Sequence, residues 1–148
     1  MKITLLPCIL PLLLAACGSA PPENLGLVTG DLAPCPETPN CVSSCAPESD
    51  TVHHIEPFKY QDTRTDARLR LIALLENPSG KERVTLVETD EKYIRAEFRT
   101  SFFRFTDDVE FYFPPDEKIV HLRSASRVGR SDLGTNRRRI EGLRERFE

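Results

Sequence analysis

The sequence predicts an α+β fold: a four-stranded antiparallel sheet with two helices packed on one face, preceded by a disulfide-containing loop. Three observations lead there. Apolar and polar residues alternate across segments between positions 94 and 126, the pattern of a sheet with one face on a core. Segments of helical spacing flank this region on either side. Cys35, Cys41 and Cys45 cluster ahead of the first helix, as expected of a bridged loop.

Taken in order, the chain opens with Lys2 and an apolar run from Ile3 to Leu14. Such a run has signal-peptide length, whereas a bilayer span needs about 20 residues. Pro7 and Pro11 also oppose a stable helix there. Leu14-Ala15-Ala16-Cys17 resembles the bacterial lipoprotein cleavage box, with small residues before the cut and a thiol to accept diacylglycerol. Residues 1–16 are thus expected to form a lipoprotein signal peptide. Residues 17–33 should be the lipidated Cys17 and a flexible tether, and 34–148 a single globular domain. Several acyl chains on one cysteine, palmitate among them, anchor stably where a single chain is reversible.

In an exported chain, close cysteines form a disulfide by default. Three cysteines allow one bridge and leave one thiol. A Cys35–Cys41 bridge would close a seven-residue loop. The rival is metal binding with His53 and His54, but no Cys-x-x-Cys pair is present, so no metal is expected.

The regular part begins at Thr63-Arg64-Thr65-Asp66, a helix-capping pattern, and Ala67, Leu71, Leu74 and Leu75 then share one helical face. Asn77-Pro78-Ser79-Gly80 ends that helix. Val84–Val87 is the centre of a first strand. Ile94, Ala96 and Phe98 mark the second, and Val109, Phe111 and Phe113 the third. The fourth runs from about Lys118 to Ser126. A last helix from about Asn136 places Ile140, Leu143 and Phe147 on one side.

Overall composition narrows the function. The 148 residues are 39% hydrophobic and 29% charged, which excludes a multi-span membrane protein and a disordered chain. A net charge of −3 argues against bulk nucleic-acid binding. No P-loop, dinucleotide or zinc-protease motif occurs, and no cofactor is expected. Ser124 or Ser126 with His121 lacks any nucleophile-elbow context, so no catalytic residue is assigned.

Charge is unevenly spread, with eight arginines against four acids in residues 121–148. Arg137, Arg138 and Arg139 open a helix whose N-terminus is already positive, an arrangement that an anion would stabilise. The candidate anion site is Arg123, Ser124, Ser126, Arg127, Arg130, Asn136 and Arg137, with Asp107, Asp108 and Asp132 as supporting acids. The competing explanation is that these acids, with Glu110, neutralise the arginines internally.

Three motifs carry a family resemblance. Pro34-Cys35-Pro36 with Pro39-Asn40-Cys41-Val42-Ser43-Ser44 opens it, and Phe103-Arg104-Phe105-Thr106-Asp107-Asp108-Val109-Glu110-Phe111 forms its centre. Arg123–Gly129 and Ser131–Arg139 close it. Together they resemble the domain of unknown function 1499 family, and the chain reads as a bacterial lipoprotein member of it. The resemblance implies export or membrane association and brings no activity. Cys45 departs from the family pattern, which makes it the unpaired thiol and leaves Cys35 with Cys41 for the bridge.

The sequence therefore reads as a membrane-tethered lipoprotein of the bacterial cell envelope, facing the periplasm or exterior. Its arginine-rich loop would bind an anionic small molecule, a phospholipid headgroup or an acidic protein. The alternatives are a hydrolase or transferase acting on a phosphorylated substrate, with Asp107 or Asp108 as base, and a purely structural lipoprotein. The anchor is testable alone. Cys17→Ala is expected to abolish detergent-phase partitioning, and N-terminal mass analysis of the wild type to find acylated Cys17. A mature N-terminus elsewhere would exclude the anchor.

Overall fold

A computed structural model describes residues 20–101 and 103–148; the expected signal peptide and Cys17 lie outside the described residues. Helix α1 (Arg64–Glu76) starts where its capping pattern predicts, with the Thr63 hydroxyl accepting from the Asp66 N–H at 3.1 Å. Strands β5 (Arg83–Thr89), β6 (Tyr93–Arg99), β7 (Thr106–Tyr112) and β8 (Ile119–Ser126) form an antiparallel meander, followed by α2 (Thr135–Phe147).

The expected four-stranded sheet is corrected to six strands. Two short strands, β3 (Cys41–Ser43) and β4 (Phe58–Lys59), pair end to end along the free edge of β8, giving the order β3-β8-β7-β6-β5 with β4 beside β8. Segments of two or three residues are too short for alternation to reveal. They are strands because β8 is long enough to offer its backbone groups to both.

One face of the sheet carries the core. Ile94, Ala96, Phe98, Val109, Phe111 and Leu122 meet Ala67, Leu71 and Leu75 of α1 and Ile140, Leu143 and Phe147 of α2, all buried. Fully burying each larger side chain contributes about 1.5–3 kcal/mol.

The opposite face, which the alternation makes polar, is covered too. Part of the segment read as tether makes a two-stranded hairpin, β1 (Leu27–Val28) and β2 (Asp31–Leu32). Its turn, Thr29-Gly30, has positive φ at both positions (54° and 96°), the conformation that matches strand twist in a two-residue hairpin loop. Leu32 and Ala33 are buried, and the Gly26 N–H donates to Glu110 Oε1 at 2.7 Å.

Cys35 and Cys41 form the disulfide, and Cys45 is the free thiol among the described residues. The bridge ties the loop before β3 to the sheet edge. Peptide mapping without reductant is expected to link these two and leave Cys45 alkylatable. Cys35→Ser with Cys41→Ser should cost about 2 kcal/mol of unfolding free energy, the loop-closure value for so short a loop. A Cys41–Cys45 link would contradict the assignment.

Candidate functional site

Adjacent residues on a strand point to opposite faces, so Asp107 and Asp108 place one carboxylate on each side of the sheet. Both are buried, and each draws arginines toward it.

On the helix side, Arg139 of α2 donates to Asp107 Oδ2 at 2.6 Å and to both oxygens of Glu82, at 2.6 and 3.1 Å. Its guanidinium also lies 4.8 Å from the Phe98 ring centre. Burial works against its charge, but Glu82 and Asp107 more than compensate and raise its pKa. Buried Asn136 stands beside it. Its Oδ1 accepts from Ser124 Oγ (2.5 Å) and Arg139 (2.7 Å), while its amide donates to Ser126 Oγ, the Asn40 carbonyl and Asp132.

Asp132 answers the question raised by three arginines at a helix start. Its carboxylate accepts from the Gly134 and Asn136 N–H groups at 3.0 and 2.7 Å. The anion at that N-terminus is thus the protein's own. The N-cap is Gly134 at φ 77°, and a Cβ there would meet Arg138 Nη1 at 3.1 Å.

On the other face lies a second ladder. Arg127 grips Asp108 with Nε (2.7 Å) and Nη2 (2.8 Å) and reaches Glu97, while Arg95 adds a 3.1 Å bond to Asp108. The Asp108 hydrogen bonds, ahead of Glu97, push the Arg127 pKa above its ordinary value. Glu110, fully buried, accepts from Arg123 (2.9 Å), Tyr93 (2.7 Å) and Gly26. Burial, reinforced by Glu110, raises the Tyr93 pKa well above normal. Arg123 Nε is a buried nitrogen without a hydrogen-bond partner.

The candidate anion site is therefore divided. Ser124, Ser126 and Asn136 lie with the helices, while Arg123 and Arg127 lie beyond the sheet. Arg137 donates to the Val52 and His54 carbonyls, pinning the segment before β4. Arg130 is exposed.

Cys45, His53 and Asp50 line one hollow, but His53 Nδ1 meets Asp50 at 2.7 Å while its Nε2 turns to the Thr38 carbonyl. Burial, and then Asp31, push the Cys45 thiol pKa up, opposite to an activated nucleophile. His121 meets Ser44 rather than Ser124 or Ser126. A hollow of about 180 Å³ between α1, α2 and β5 is mainly apolar, and its carboxylate, Glu82, is held by Arg139.

What sequence reasoning missed is one end of the sheet. The starts of β5 and β7, and the ends of β6 and β8, meet there. Exposed Lys81, Arg83, Arg99, Arg104, Arg130 and Arg138 gather at it, with the exposed aromatic rings of Phe103 and Phe105. At the far end exposed Glu88, Asp90, Glu91, Asp116 and Glu117 outnumber exposed Lys92 and Lys118, while half-buried Arg64 and Arg68 also reach the β5–β6 turn there. The signal was present in Phe103-Arg104-Phe105, alternating aromatic and basic across a hairpin turn.

No curated protein matches the chain, and no solved structure does. A family model does match, that described as "Protein of unknown function (DUF1499)", over residues 31–147. With the disulfide loop, the β7 acids and the arginine-rich closing segment all inside the matched span, the chain belongs to that family.

Proposed function

We propose that this is a non-catalytic, lipid-tethered envelope protein that turns the basic end of its sheet toward an anionic partner. The supporting observation is charge separation along the strands, with exposed arginines and a lysine at one end and mainly acids at the other. Such a distribution orients a molecule over a negatively charged surface before contact. The tether follows from Leu14-Ala15-Ala16-Cys17.

The arginine-rich loop takes a different part in this reading. Arg123, Arg127 and Arg139 are held by internal carboxylates, so they fasten the layers, and the ligand-facing charge falls to exposed neighbours. A purely structural role is the second reading, favoured by that same internal pairing. A hydrolase needs a carboxylate free to take a proton, whereas Asp107 and Asp108 are committed to arginines.

The test is thermal unfolding at fixed ionic strength, titrated with pyrophosphate and with polyglutamate. Polyanions should raise the midpoint by mass action, and chloride should not. Arg127→Ala should remove about 1.5–3 kcal/mol of stability, since it takes two charged hydrogen bonds from buried Asp108 and leaves Arg95 to hold it. The increment from polyanion should persist in that variant. If no anion raises the midpoint, the structural reading stands instead.

A further inference from the structure

Within the basic end, Arg83, Arg99, Thr100, Ser101 and Arg104 line a shallow hollow of about 120 Å³. Arg83 and Arg99 are direct partners across the β5–β6 pair, an arrangement that like charges disfavour. No acidic side chain lines the hollow, and none of its three guanidiniums takes part in an ion pair among the described residues. Elsewhere in this protein, the buried arginines each have a carboxylate. Here three guanidiniums border one hollow, and among the described residues they make a single hydrogen bond, from Arg99 Nε to the Arg104 carbonyl at 3.4 Å.

The hollow adjoins an apolar tip. Phe103 and Phe105 stack with ring centres 5.5 Å apart and are 67% and 49% exposed. Arg104 between them has φ 57°, a left-handed conformation that costs a non-glycine residue. Leu133, 84% exposed and also left-handed at φ 53°, and Val128 lie on the β8–α2 loop, which leaves the same end of the sheet. Rings beside guanidiniums suit a lipid–water interface, where the rings enter the headgroup boundary and the cations meet phosphates.

We infer that this hairpin tip docks on an anionic phospholipid surface, with a headgroup phosphate held by Arg83, Arg99 and Arg104 and with Phe103 and Phe105 entering the interface. The inference rests on the tethered reading above and deepens it. Chain length agrees with it. Residues 18–25 separate Cys17 from Gly26, which is fixed on Glu110; they would span about 28 Å if fully extended, and the turn at Glu23-Asn24 shortens that reach. The tip is roughly 15 Å farther along β7 from Glu110, at the rise of a strand. A membrane holding Cys17 is therefore within reach of the tip.

The chain has no tryptophan, so Phe103→Trp introduces a single fluorescent reporter at an exposed position. The protein, as its cells export it, is mixed with vesicles of phosphatidylcholine alone or with phosphatidylglycerol added. Intact mass first records whether Cys17 is acylated. The expected result is a blue-shifted emission, quenched by brominated lipid, in the phosphatidylglycerol vesicles only. Added salt should reduce it. Arg83→Gln with Arg99→Gln should lose the shift while keeping the thermal midpoint. Arg104→Gly, which suits the left-handed backbone, should lose it as well.

Equal shifts in both vesicles, or none in either, would overturn the inference. So would a shift produced by inorganic phosphate without lipid, or by polyglutamate, which would indicate an acidic protein partner. Acylated Cys17 without a shift rejects the tip and keeps the tether; a shift with unmodified Cys17 does the reverse.

Discussion

Asp107 and Asp108 sit side by side on β7, buried on opposite faces of the sheet, and every layer of the molecule answers to them. A carboxylate withdrawn from water costs several kcal/mol unless a cation and further donors meet it in good geometry. Arg139 meets Asp107 from the helix side, and Arg127 and Arg95 meet Asp108 from the other. The same charges therefore fix α2 over the core and hold the end of β8 against β7. Glu110 extends the arrangement. By accepting from Arg123, Tyr93 and the Gly26 N–H, it ties the N-terminal hairpin onto a face that an ordinary two-layer fold leaves wet.

This constraint explains why so many arginines in the closing segment serve the interior. A guanidinium has five donors in a fixed fork, and one carboxylate cannot use them all. The remaining donors go to hydroxyls, amides and backbone carbonyls: Arg139 to Ser124 and Asn136, Arg137 to Val52 and His54. The short segments before β4 have little apolar surface of their own and are held by such contacts. With these arginines committed inward, outward-facing cations are concentrated at one end of the strands. That end is also where apolar rings are exposed and two non-glycine residues adopt left-handed backbone. Strain and exposed apolar surface together are more common at contact sites than at inert loop tips.

The elements that carry a period are legible in the chain. Thr63 begins α1, and Ala67, Leu71 and Leu75 face the core, because helical spacing repeats over three turns. Ile94, Ala96 and Phe98, like Val109, Phe111 and Phe113, choose their face because a strand inverts direction at every residue. Tertiary structure alone decided the rest. Strands β3 and β4 exist only as partners of β8, and the hairpin β1–β2 only as a cover for Glu110 and its neighbours. Which arginines turn inward was likewise undecided in the chain, since Arg83, Arg99, Arg127 and Arg139 are alike as residues. Their difference is whether folding brings a carboxylate within about 3 Å, a property of pairing between distant segments that no local pattern encodes.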